Sequence, residues 1–239
     1  MAKAKKRSLR QVVGEFESIE IDCTCFPVAI ANAAVLIGRP LNADHMIRRL
    51  DEEGALKKWN QGVIDLRKAD KVLRPYLEDH GVRPAFHAVM PLEELEKAVA
   101  PIDTYPQDYG ISAALSYGYV RQYHNLAEDI PTAHFERVDY MGASHDVVIL
   151  GRDREDFLLH DADPALQARH LESDWGAGVI RMEIERFKAF YHQGESAREA
   201  TILERMRPVP ARSREKLAAS PARREAQLSE FEGSTGGKR

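Results

Sequence analysis

The chain has 239 residues, 44% of them hydrophobic and 30% charged, with a formal net charge of −4. That is enough apolar material for one soluble domain of ordinary size, and too little charge imbalance to make nucleic acid a main partner. No apolar stretch is long enough to span a bilayer, and the basic start MAKAKKRSLRQ leads into no signal-type apolar region, so a cytoplasmic protein with no membrane partner is expected.

In chain order, residues 1–10 read as a basic flexible head and residues 11–206 as the globular part. Both cysteines, Cys23 and Cys25, stand immediately before the apolar run FPVAIANAAVLIG. A bridge across one intervening residue would be strained, so reduced thiols are expected. The first clear helix runs from about Cys25 to Ile37 and stops at Gly38, a favourable C-terminal residue. A second fits NADHMIRRLDEEG, with Asn42 or Asp44 as N-cap and Gly54 as its stop. A third fits DLRKADKVLRPYLEDHG, capped by Asp65 and ended by Gly81, with Pro75 expected to kink it or end it early. RPAFHAV follows as a short strand, and PLEELEKAVA as a helix with Pro91 at its first position.

The second half is strand-rich. SHDVVILGRDREDFLLHDADP reads as a β-hairpin, GAGVIRMEI as a further strand and IERFKAFYHQG as a helix. Helices first and an antiparallel sheet afterwards give an α+β class, two layers around a shared core. The last 33 residues, 207–239, mix Pro, Ser, Ala and Arg. They are expected to form a disordered basic tail, either simply solvated or tethering a partner.

If Leu150 faces Asp156 across a five-residue turn GRDRE, His145 falls opposite Asp161, with Cβ atoms about 5 Å apart. A carboxylate there can fix the imidazole tautomer and stabilise its charged form. A slip of two residues would substitute Asp163. A thiol at a helix N-terminus meets unsatisfied backbone N–H groups and the positive end of the helix dipole, both favouring thiolate. The parts are those of an activated nucleophile, with Cys25 attacking, His145 moving the proton and Asp161 orienting His145. The alternative is that Cys25 is a buried small hydrophobe; Cys23 is a packing residue, a redox partner or the nucleophile itself. Zinc is disfavoured, because no second Cys pair and no metal-spaced histidines accompany Cys23 and Cys25; no Gly-rich phosphate loop is present, and no cofactor is expected.

CFPVAIANAAVLIG resembles the nucleophile segment of the papain-like peptidases that process bacteriocin leader peptides after a double glycine. Pro27, Ala29, Ala31 and Gly38 fall at matching places, while Phe26 replaces a Gly. HDVVILGRDREDFLLHDADP is similar to that family's His strand, Gly turn and closing Asp-Pro. The resemblance implies a papain-like fold over roughly residues 20–195. A helical half would carry Cys25, with Cys23 the alternative. A sheet half would carry His145 as base and Asp161, or alternatively Asp163, as the orienting acid. It implies cysteine peptidase or amide hydrolase activity through an acyl-thioester, on a peptide or protein substrate; an acyl transferase would use the same residues. The family's oxyanion Gln, six residues before the nucleophile, is Ile19 counted from Cys25 and Glu17 from Cys23. A donor would have to come from Gln11, a serine or a backbone amide, and a catalytically silent domain that binds a peptide is the competing reading.

Six of the eight tyrosines lie between Tyr105 and Tyr140. Tyr117 and Tyr119 from this stretch, with Trp59, Asn60 and Gln61 from KKWNQG, are candidates for lining a substrate cleft; the alternative is that they pack the sheet and cover the core.

Overall fold

The computed structural model describes residues 7–19, 24–56, 66–102, 105–116, 119, 144–164, 167, 175–191 and 199–206. Trp59, Asn60, Gln61, Asp65, Tyr117, Cys23 and residues 207–239 lie outside them.

The first helix, α1 (Leu9–Val13), begins within the segment expected to be a flexible head. Ser8 and Gln11 close a reciprocal capping box at its start, and Leu9, Val12 and Val13 are buried. Helix α2 (Cys25–Leu36) has no amphipathic period because it needs none: every residue from Phe26 to Leu36 is buried. It ends where Gly38 takes a φ of 67°, a left-handed conformation that costs glycine nothing. Asn42 caps α3 (Ala43–Glu52) by accepting from the His45 N–H at 2.7 Å. Helix α4 (Leu66–Asp79) continues through Pro75 and does not end early there. Strand β1 (Val82–His87) and α5 (Leu92–Ala98) follow, with Pro91 at the N-cap and not inside the helix.

Among the described residues the sheet has six strands. After β1 come β2 (Tyr109–Ser116), β3 (Ser144–Asp153), β4 (Asp156–His160) and β5 (Val179–Glu183), then α6 (Ile184–Tyr191) and β6 (Ala200–Arg205). Their order is β1-β6-β2-β3-β4-β5, and every neighbouring pair is antiparallel. The fold class is α+β, but the single shared core expected for it divides into two clusters, one on each face. Val148, Leu150, Leu158 and Leu203 meet α2 and its neighbours. Val147, Ile149, Phe157 and Leu159 meet Phe187, Phe190 and Tyr191 of α6 on the other side. Odd and even positions of β3 therefore serve different cores, as strand alternation requires.

The hairpin differs from its expected register. Asp153 pairs with Asp156, so the turn is the two residues Arg154 and Glu155, with Arg154 at φ 60°, and not the five residues GRDRE. The pairs Gly151↔Leu158 and Ile149↔Leu159 leave Leu150 as the extra residue of a bulge. Its carbonyl accepts from Tyr105 Oη at 3.1 Å and Gln107 Nε2 at 2.7 Å, so the irregularity leaves no buried acceptor stranded.

α2 lies unusually close to the sheet at Gly110. A Cβ built there would stand 2.1 Å from the Ala33 carbonyl oxygen, so only glycine fits beneath the helix.

Candidate active site

Cys25 is the first residue of α2 and stands partly open, whereas the rest of that helix is buried. Thr24 makes no side-chain cap, so the first-turn N–H groups of Cys25 and Phe26 open the helix without a capping acceptor among the described residues. Pro27 sits in the same turn, where its missing donor costs nothing.

His145 comes from the start of β3. Its Nε2 is 2.8 Å from Asp161 Oδ1, and its ring is near enough to Cys25 for the thiol to favour the charged imidazolium. With Nε2 given to Asp161, Nδ1 is the nitrogen left for the thiol. Burial works against the imidazolium, but the charge and hydrogen bond of Asp161, helped by Cys25, outweigh it and hold His145 well above the ordinary histidine value.

Asp161 is completely buried. It accepts from His145 Nε2, from Tyr119 Oη at 3.0 Å on Oδ2, and from the Asp163 N–H at 2.9 Å on Oδ1, the kind of satisfaction a buried carboxylate requires. Its own N–H donates to the Gly178 carbonyl at 3.0 Å. Gly178 has a φ of 72°, and a Cβ there would fall 2.4 Å from the Asp161 oxygen.

The structure thus brings together Cys25, His145 and Asp161. The ladder at the histidine end runs Val148↔His160; continued, it would set His145 opposite Asp163, the two-residue slip considered above. Strand β4 ends at His160 instead, and beyond it Asp161 reaches His145 while Asp163 contributes its backbone N–H. Tyr119, expected to line a cleft, is fully buried. It stacks on His145 with centroids 6.3 Å apart and donates to Asp161, so it belongs to the support of the pair and not to a substrate wall. Gln11 is bound in the α1 capping box, and the Glu17 carboxylate accepts from the Ala43 N–H at 3.3 Å; these contacts commit both side chains away from Cys25.

Two acids were missed. Asp146 Oδ2 accepts from Cys25 Sγ at 3.8 Å. Desolvation, opposed by the charge of His145 and by the Cys25 hydrogen bond, lifts its carboxyl to about 6. Glu199, whose carbonyl accepts from the Ala114 N–H at 2.9 Å, is raised to about 7 by desolvation and by Asp146. A signal for Asp146 existed: it shares strand parity with Val148 and Leu150, so alternation sets it on the face toward α2. His160, buried under the edge of Phe16 at 4.7 Å, is lowered to about 4 by burial, which the charge of Asp161 only partly offsets, and stays neutral.

The Asp146 carboxyl, raised in the folded state, contributes stability that is full below its ordinary value of 3.8 and is lost as pH rises through about 6. Asp146→Asn is therefore expected to match the parent near pH 4 and to exceed it at pH 8 by about 1–2 kcal/mol, after solvent screening. Urea unfolding at the two pH values measures this, and a variant less stable at pH 8 contradicts it.

Among the described residues, no group of three His, Cys, Asp or Glu side chains is placed to hold a metal, and no helix is long and apolar enough to cross a membrane. No family model and no curated protein matches the sequence. Among solved structures, the chain is similar to the peptidase domain of Streptococcus ComA, a bifunctional ABC transporter involved in a quorum-sensing pathway. That alignment covers 79% of this chain and 96% of the domain, at 15% identity and a TM-score of 0.42. It is also similar to a Bacillus anthracis protein described as C39-like peptidase, over 84% of this chain and 98% of that one, at 15% identity and a TM-score of 0.45. Both likenesses concern the path of the chain; the chemistry is argued from the side chains above.

Proposed function

We propose that this chain is a papain-like cysteine peptidase or amide hydrolase acting on a peptide or protein substrate. The observation that carries the reading is the buried His145–Asp161 hydrogen bond beside Cys25, with the sulfur on the opening residue of a buried helix. His145 Nδ1 takes the thiol proton as Cys25 Sγ attacks the substrate carbonyl carbon, and the oxyanion is met by the Cys25 backbone N–H. The C–N bond then breaks, and His145 returns the proton to the departing amine. Water attacks the acyl-thioester, giving its proton to His145; the C–S bond breaks and the acid leaves. An acceptor amine or alcohol in place of water would make the same site an acyl transferase.

A catalytically silent peptide-binding domain is the second reading. The engagement of Gln11 in the capping box and of Glu17 with Ala43 favours it, because neither supplies a side-chain oxyanion donor.

The test is acyl-enzyme trapping. The full chain is mixed with a panel of peptide thioesters, quenched in acid and weighed by intact mass spectrometry. An acyl adduct that maps to Cys25, decays with release of the acid and is absent from Cys25→Ala supports hydrolysis. Saturable peptide binding with no adduct at any time favours the silent domain.

A further inference from the structure

Asp146 and Glu199 are not needed for the chemistry just described, and Asp146 opposes part of it, because a carboxylate beside a sulfur disfavours thiolate. Their placement is specific. Asp146 pairs with Ala114 across β2 and β3, and the Ala114 N–H bonds the Glu199 carbonyl on the other side of β2. Asp146 has the strand parity of Val148, which belongs to the core beside α2. Glu199 has the parity of Leu203, which belongs to the same core, so both acids fall on the face where α2 begins. Asp146 touches Cys25 Sγ, and Glu199 feels the charge of Asp146.

Among the described residues, charged groups facing this pair are few. From α2 there is Cys25; from β3 there is His145, already bonded to Asp161; β2 presents Ala114 and Ser116. Among the described residues no Lys or Arg bonds either acid. Asp146 at the thiol and Glu199 beyond the neighbouring β2 residue Ala114 are two half-buried carboxyls that no lysine or arginine of the described residues bonds, an arrangement that a cation from outside would complete.

We propose that Asp146 and Glu199 select substrates carrying a basic side chain, an ammonium or guanidinium group, next to the bond attacked by Cys25. This rests on the hydrolase reading, since it names the substrate class of the same site. A basic side chain would lie along the β2 and β6 side of the sulfur, its cation between the two carboxyls, and its binding would relieve their mutual repulsion. The selectivity belongs above about pH 7, where both acids are ionised, and fades below about pH 6 as they take up protons.

The experiment uses two thiol reagents that differ in charge, trimethylammonioethyl and sulfonatoethyl methanethiosulfonate. Each forms a disulfide with Cys25 and releases methanesulfinate, so both report access to the same sulfur. The cation-to-anion rate ratio is divided by the ratio for N-acetylcysteine amide, with adducts assigned to Cys25 by peptide mapping. Expected for the full chain is a normalised ratio of about tenfold or more at pH 8 that falls toward one at pH 5. The ratio at pH 8 falls severalfold in Asp146→Asn and in Glu199→Gln, and reaches about one in the double variant. A neutral reagent, iodoacetamide, run on the same samples and on His145→Gln, reports the nucleophile independently. A ratio near one at pH 8, or one that ignores both substitutions, overturns the proposal even where iodoacetamide labelling depends on His145. A high ratio that the acid substitutions abolish upholds cation selection, and does so even where His145 has no effect on labelling and the hydrolase reading falls alone. In peptide thioesters that differ only at the residue next to the thioester, Lys over Glu is expected to acylate Cys25 faster by a similar factor; equal rates overturn the proposal.

Discussion

Replacing His145 with Ala is expected to slow iodoacetamide labelling of Cys25 at pH 6 by at least about tenfold. The unassisted thiol has a pKa near 8.5 and is about 0.3% ionised at pH 6. A thiol that has passed its proton to a neighbouring imidazolium is mostly thiolate there. The gap of roughly two orders of magnitude is partly offset because thiolates of lower basicity are weaker nucleophiles. His145 is suited to hold that proton, since Asp161 keeps its imidazolium stable against burial. The substitution also removes a donor from the fully buried Asp161, which keeps Tyr119 Oη and the Asp163 N–H. His145→Gln, which retains a donor, serves as the folded control and should show the same kinetic loss. The ion pair gives the experiment a stability axis too. A raised histidine contributes stability that is full below its unfolded value near 6.5 and is lost as pH climbs through the raised folded value. The stability difference between the parent and His145→Gln should therefore shrink on the alkaline side. Equal labelling rates and a parallel pH profile in parent and variant would remove the basis for an activated cysteine.

Gly110→Ala is expected to be the most damaging single methyl addition tested in this fold. Its Cβ would meet the Ala33 carbonyl oxygen at 2.1 Å, and that oxygen is part of the backbone of a helix buried on every side. Relief requires moving α2 off the sheet, and overpacking of this kind costs about 3 kcal/mol or more. For a domain of this size that is a fall in Tm of roughly 6–12 °C. Gly54→Ala is the matched control. No atom lies within 4 Å of its Cβ position, while its φ is 63°, so only the left-handed backbone penalty of about 1–2 kcal/mol applies. Thermal unfolding of both variants in parallel decides the point, and a Gly110→Ala variant as stable as Gly54→Ala would mean the helix and sheet are not in the close contact described.

The comparison between sequence and structure is most instructive in the hairpin. His145 and Asp161 meet as expected, although the register that led to the pairing is off by two residues at that end. The bulge at Leu150 and the tight turn at Arg154 and Glu155 together shift the ladder, and the early end of β4 shifts the contact back. Nothing in residues 150–156 announces the bulge, because it is held by Tyr105 and Gln107, which are remote in the chain. Strand β2 was hidden for a related reason. GISAALS has small residues where strands usually carry β-branched ones, and Gly110 in particular is small because α2 lies against it. Strand β6 escaped because ATILER adjoins the tail composition and follows a helix, with no hairpin partner nearby. The periodic helices α3 and α4 and the capping of Asn42 were legible because their signals are local. Tyr119 and Asp146 were not, since a tyrosine that supports a buried acid and an aspartate that touches a thiol are defined by contacts over separations of 42 and 121 residues.

The position of β6 has a bearing on how the protein is made. The last strand among the described residues, Ala200–Arg205, lies in the interior of the sheet between β1 and β2, so the two sides of the sheet cannot join until it arrives. During synthesis α2 and its cysteine emerge long before the strand that completes the surface beneath them, and pairings this distant in sequence form slowly. The nascent chain is therefore expected to present Cys25 as an unassembled thiol for as long as residues 199–206 remain in the ribosomal tunnel. A sheet of this build closes around α2 only at the end of folding, when β6 is inserted.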